Sequence, residues 1–75
     1  MQELVAFMAK SLVDHPDQVV IQETEGPEAI ILELHVAEED MGKVIGKQGR
    51  IAKAIRAVVK AATSRSGKPV FVEIQ

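Results

Sequence analysis

Gly46 and Gly49 divide a helical stretch in two, and that break constrains the fold more than any other feature of the chain. Ahead of it, Glu38 to Ile45 reads as a short helix with Met41, Val44 and Ile45 on one side. Its first turn carries Glu38, Glu39 and Asp40, where the helix dipole favours negative charge. Behind it, a longer helix is predicted from Arg50 to about Thr63, with Ile51, Ile55, Val58, Val59 and Ala62 along its apolar side. Lys53, Arg56 and Lys60 fall on the opposite side of that helix, with Arg50 at one edge. Gly46-Lys47-Gln48-Gly49 supplies the tight turn between them, because glycine enters backbone regions closed to other residues.

The flanking segments alternate with period two. Ala29 to Ala37 places Ile30, Leu32, Leu34 and Val36 on one face and Ile31, Glu33 and His35 on the other. Gln18 to Thr24 alternates more weakly, with Val19 and Ile21 sharing a face, and Glu25-Gly26-Pro27-Glu28 joins the two runs as a hairpin turn. Val70, Val72 and Ile74 form a last strand after a polar loop from Ser64 to Pro69. An opening helix carries Leu4, Val5, Met8 and Leu12 as one stripe with Phe7 beside it, and ends at His15-Pro16, since the residue before proline avoids the α region. The element order is therefore α-β-β-α-α-β. Each strand has one apolar face, so an α+β domain is expected, with three helices on one face of a three-stranded mixed sheet. The run from Ala29 to Ala37 is expected at its centre, antiparallel to the first strand and parallel to the last, because a helical crossover returns the chain parallel to the strand it left.

The whole chain of 75 residues makes a single domain, near the lower limit for folding without staples. It contains no cysteine, which removes disulfides, thiolate nucleophiles and thiolate metal sites from consideration. The start, Met1-Gln2-Glu3-Leu4, lacks the basic and apolar segments of a secretion signal, and no apolar stretch approaches the ~20 residues of a membrane span. The expectation is a cytoplasmic protein with no membrane insertion.

The formal net charge of −2 conceals a strong asymmetry. Ten acidic residues and one basic residue lie between Met1 and Asp40, whereas Met41 to Val72 holds eight basic residues and no acidic one. The second half is thus a cationic segment that contains the glycine turn, which points to an anionic partner. Solvated faces usually mix both signs, and this one does not. Aromatic residues are limited to Phe7 and Phe71, which argues against single-strand recognition by base stacking on an aromatic platform.

These residues suit a grip on a phosphate backbone. Bare glycines admit another polymer at close range. The opening turn of a helix directs unpaired N–H groups and partial positive charge into the gap. Lys43, Lys47, Arg50 and Lys53 surround it.

Val44-Ile45-Gly46-Lys47-Gln48-Gly49, followed by the helix from Arg50 in this element order, resembles the type II KH domain family over essentially the whole chain. The resemblance implies a G-x-x-G loop at Gly46, Lys47, Gln48 and Gly49 that clamps about four nucleotides of single-stranded RNA. It places Val44 and Ile45 on the apolar wall against which bases lie. The family pattern commonly has a bulky aliphatic where this chain has Ala52, which implies a shallower groove. The resemblance further implies a small RNA-binding regulator or chaperone, acting as a homodimer or with a larger KH-containing RNA-binding protein. The paired substitution of Gly46→Asp and Gly49→Asp is expected to abolish RNA binding and leave the fold intact.

Other chemistries fit less well. Gly42 to Gln48 faintly resembles a nucleotide P-loop, but the glycine spacing is one residue short and Gln48 stands where a Mg²⁺-binding Ser or Thr belongs. His15 and His35 lack a clustered partner for a metal, and Glu38-Glu39-Asp40 is more simply a helix-start charge cluster. No nucleophile, base and acid can be assembled, so no enzyme, cofactor or small-molecule substrate is expected. No recognition helix for duplex DNA is present. The rival reading is an interaction subunit whose oppositely charged halves mediate assembly.

Overall fold

A computed structural model describes residues 1–65 and 67–75. Its elements follow the expected order: α1 (Gln2–Leu12), β1 (Val20–Glu25), β2 (Ile30–His35), α2 (Met41–Ile45), α3 (Arg50–Ala62) and β3 (Val70–Ile74). Ser66, within the polar loop expected from Ser64 to Pro69, lies outside the described residues. The sheet order is β1-β2-β3, with β1 antiparallel and β3 parallel to the central strand. Register runs from Val20 opposite His35 to Glu25 opposite Ile30, and from Ile30 beside Val70 to Leu34 beside Ile74.

The helices lie over one face of this sheet. Leu32 and Leu34 of β2 and Val72 of β3 meet Val5 and Ala9 of α1, Val44 of α2, and Ile55 and Val59 of α3 in a single core. Two helical stripes differ from expectation. On α1 the buried positions are Val5 and Ala9, while Phe7 stands 70% exposed and Leu12 is also exposed. On α3 the buried line is Ala52, Ile55 and Val59, which turns Val58 and Ala62 outward. Alanines at these positions fit the close-packed core, while Phe7 and Val58 stay exposed. The first strand starts later than predicted because Pro16–Gln18 forms a 3₁₀ turn, its proline fixing the first φ. A second 3₁₀ turn, Glu38–Asp40, takes the first residues predicted for the short helix.

Asp40 is wholly buried. Its Oδ1 accepts the N–H of Asp14 at 3.1 Å and its Oδ2 the N–H of His15 at 2.9 Å, which fixes the end of α1 against the start of α2. Burial pushes the carboxyl pKa up, but the two N–H donors, aided by His15 and Lys43, prevail and hold it below the ordinary aspartate value of 3.8. A carboxyl with a lowered native pKa contributes stability above its unfolded pKa and loses it as pH falls through the native value. Asp40→Asn is therefore expected to lower Tm near neutral pH by on the order of 10 °C. Thermal scans should show that difference narrowing as pH falls below 3.8.

Candidate nucleic-acid interface

The glycine turn lies at the surface between α2 and α3. Gly46 closes α2, its N–H donating to Gly42 O at 2.8 Å, with φ 77° and ψ 173°. Gly49 donates to Gly46 O at 3.1 Å and adopts a left-handed conformation at φ 75°. Gln48 also has positive φ, at 57°. Three of the four loop residues thus occupy backbone regions that L side chains rarely enter. Lys47 and Gln48 are exposed, and the two glycines are half-buried. No side chain caps the start of α3. Arg50 N–H already donates to Lys47 O, and the other first-turn N–H groups of α3, with its partial positive charge, face the turn, an arrangement that favours anions. Arg50 is exposed beside the loop, its guanidinium 3.4 Å from Gln48 Oε1, and Lys53 is exposed one turn further along.

The two glycines answer different demands. A Cβ on Gly46 would stand 2.6 Å from Ile51 Cγ1 and 2.9 Å from the Ile51 backbone nitrogen, so the chain itself excludes a side chain there. A Cβ on Gly49 would meet nothing within 4 Å. Gly49 is the position with room for another molecule. The paired Gly→Asp substitution is therefore expected to cost stability as well as binding, because its Gly46 half crowds Ile51.

Two further observations bear on the expected site residues. Val44 is 0% exposed and belongs to the core, so its side chain offers no wall to a base; it anchors α2, and its burial contributes about 1.5–3 kcal/mol. Ile45, next to it, does reach the surface at 37% exposure. Lys43 is not a free cation. Its ammonium lies 2.7 Å from Asp14 Oδ2 and 3.6 Å from Asp40 Oδ1, and the hydrogen bond to Asp14 raises its pKa. Among the described residues Lys47, Arg50 and Lys53 have no carboxylate within ion-pair distance, which leaves their charge available.

A second part of the surface adjoins the loop helix. Arg56 and Lys60, read from sequence only as part of a basic face, line a cavity of about 560 Å³ with Thr63, Lys68, Val70 and Val72. β3 is an edge strand. Ile30 N–H bonds Pro69 O, and Gln75 N–H bonds Leu34 O. By the alternation of a parallel ladder, the N–H and C=O groups of Val70, Val72 and Ile74 then point away from the sheet. Arg56 Nε donates to one of them, Val72 O, at 3.1 Å. The available signal was the order of strands, which leaves the last one at an edge, combined with the arginine on the face of α3 that meets it. Lys68 holds the lower rim by bonding Glu25 at 2.6 Å and Gly26 O at 3.0 Å, and its hydrogen bond lowers the Glu25 pKa.

Comparison with known proteins bears on this geometry. The KhpA/KhpB KH-domain family model matches residues 2–74. The chain is 66% identical to RNA-binding protein KhpA of Clostridium perfringens over 74 residues, covering 99% of each chain. It is 51% identical to RNA-binding protein KhpA of Listeria monocytogenes, covering 99% of this chain and 97% of that one. Among solved structures it resembles Aquifex aeolicus Era bound to GDP·AlF4⁻, with a TM-score of 0.63 and 24% identity over 96% of this chain. It also resembles Era in complex with MgGDPNP and nucleotides 1506–1542 of 16S ribosomal RNA, with a TM-score of 0.59 and 21% identity over 97% of this chain. The chain spans only 28% and 30% of those two Era chains, and the likeness is one of fold.

Proposed function

Since the chain belongs to the KhpA/KhpB family of KH domains, we propose that it binds single-stranded RNA through the turn from Gly46 to Gly49. The observation that carries this reading is the state of that turn: exposed, held open by three positive φ angles, and flanked by unpaired cations. The RNA backbone approaches the open side of Gly49, where no Cβ intervenes. A phosphate is held by the first-turn N–H groups of α3 beyond Arg50, whose own N–H donates to Lys47 O, with Lys47, Arg50 and Lys53 adding attraction and Gln48 presenting an amide. Ile45 gives the bases an apolar contact, and Val44 holds α2 in place beneath it. Lys43, exposed and paired with Asp14, lies one turn before Gly46. The strand continues along α3, past Arg56 and Lys60, where the outward polar groups of β3 can meet base edges. About four nucleotides span such a surface.

A surface this small, in a chain with only two aromatic residues, binds weakly, so avidity through a second domain fits the reading. Phe7, Leu12 and Val58 line an apolar seam between α1 and α3, with Arg50 its one charged wall, and a second copy seated there would join two loops in one particle. Pairing with a larger KH-containing protein serves the same end, and a regulatory or chaperone role follows from weak, multivalent contact with RNA.

Titration of a labelled single-stranded RNA against salt tests the proposal. Three phosphate contacts predict log K falling with log salt at a slope of about −2. Sedimentation of the same protein should give a species heavier than 8.2 kDa. A protein that assembles but shows no micromolar RNA binding at low salt would instead support a purely structural subunit.

A further inference from the structure

We infer that Asp14 sets the RNA affinity of the loop by withholding Lys43 from phosphate. The inference rests on the RNA-binding role proposed above. α2 carries Lys43 one turn before Gly46, and the other cations flanking the loop, Lys47, Arg50 and Lys53, lack a carboxylate partner among the described residues. Lys43 alone is occupied. Asp14 Oδ2 sits 2.7 Å from its ammonium, supplied by the segment just after α1, 29 residues earlier in the chain.

The fold does not need this contact for its buried carboxylate. Asp40 already accepts two backbone N–H groups, one on each oxygen, and its 3.6 Å distance from Lys43 is longer than a good charge-assisted hydrogen bond. Asp14 has no second side-chain partner among the described residues, and its carboxylate is 70% exposed. The Asp14–Lys43 pair is therefore a surface ion pair, weak enough for a phosphate to compete with, yet close enough to lower the chance that it does. In effect the acidic half of the chain places one of its carboxylates over one of the cations in the basic half.

A four-protein comparison tests this: wild type, Asp14→Asn, Lys43→Gln and the double variant. Each is titrated with a fluorescein-labelled oligouridylate of about eight nucleotides, twice the expected footprint, across a range of salt. Thermal melts verify that each is folded. Asp14→Asn is expected to tighten binding about three- to fivefold at low salt and to steepen the salt slope by about 0.7, the value of one added phosphate contact. Lys43→Gln is expected to cost much more affinity in the Asp14→Asn background than in the wild type, and the double variant to lose the gain in slope. Asp17→Asn removes a nearby exposed acid with no ion-pair partner among the described residues and is expected to shift affinity less than twofold.

Equal effects of Lys43→Gln in both backgrounds would overturn the inference, as would a gain from Asp14→Asn that Asp17→Asn matches. Either result, with wild-type binding intact, leaves the RNA reading standing. If the folded wild type binds no oligouridylate and no other single strand, the RNA reading falls and takes this inference with it.

Discussion

Replacing Gly46 by alanine is expected to lower Tm by roughly 12–24 °C, whereas the same change at Gly49 should cost only about 4–8 °C. Both positions have positive φ, so both substitutions force a side chain into a poorly populated backbone region. At Gly49 that is the whole penalty, about 1 kcal/mol for a left-handed residue other than glycine, since the new methyl group meets open space. At Gly46 the backbone, with ψ 173°, lies in a region essentially reserved for glycine. The methyl group would also fall 2.9 Å from the backbone nitrogen of Ile51, an atom in the first turn of α3 that cannot rotate aside. Strain and collision together come to about 3 kcal/mol or more, a large share of the stability of so small a domain. Paired thermal melts of the two variants would decide the matter. Equal shifts would show that α3 can move away from α2 at no cost, and that the glycine at 46 answers to the ligand and not to the chain.

That difference marks where reading the residues stops. The strand order, the antiparallel and parallel pairings and the site of the turn followed from local periodicity, because Leu32, Leu34, Val70, Val72 and Ile74 leave no other face to bury. A G-x-x-G spacing also located the loop. It could not say which glycine touches Ile51, since that depends on the angle at which α3 leaves the turn. The family resemblance implies a groove wall for both Val44 and Ile45, yet adjacent helical positions point in different directions, the first into the core and the second to the surface. The expected stripes run through Leu4, Val5, Met8 and Leu12 on α1 and through Ile51, Ile55, Val58, Val59 and Ala62 on α3, whereas the structure also buries Ala9 and Ala52 and leaves Leu12 and Val58 exposed. A hydropathy pattern is dominated by large side chains, whereas a close-packed core also admits small ones where larger ones would not fit.

Charge was legible by segment and not by contact. The excess of lysine and arginine after Met41 identified the cationic half correctly, but it counted Lys43 as equivalent to Lys47. The pairing of Lys43 with Asp14, and the seating of Asp40 beneath the N–H groups of Asp14 and His15, join residues 25 to 29 positions apart. No local signal announces such pairs. They arise because the segment after α1 must cross the start of α2 to reach β1, and its unpaired N–H groups meet an acid there.

The second large effect is expected from reversing charge at the tip of the loop. The double variant Lys47→Asp, Gln48→Asp should weaken single-stranded RNA binding by a factor on the order of 100 at low salt while leaving Tm within a few degrees of the wild type. Both side chains are exposed, and neither supports the core. Gln48 holds φ 57°, and aspartate is among the residues that tolerate this region best, so the substitution does not repeat the strain of a change at Gly46. What changes is the field at the start of α3. One phosphate contact is lost with Lys47, and two carboxylates face the N–H groups that would otherwise receive the RNA. They occupy the anion site from within the chain and repel the backbone outside it. Anisotropy titrations, read beside circular dichroism melts, separate this outcome from misfolding. A folded variant that holds RNA as tightly as the wild type would place the binding surface elsewhere, with the groove between α3 and β3 next to be tested through Arg56 and Lys60.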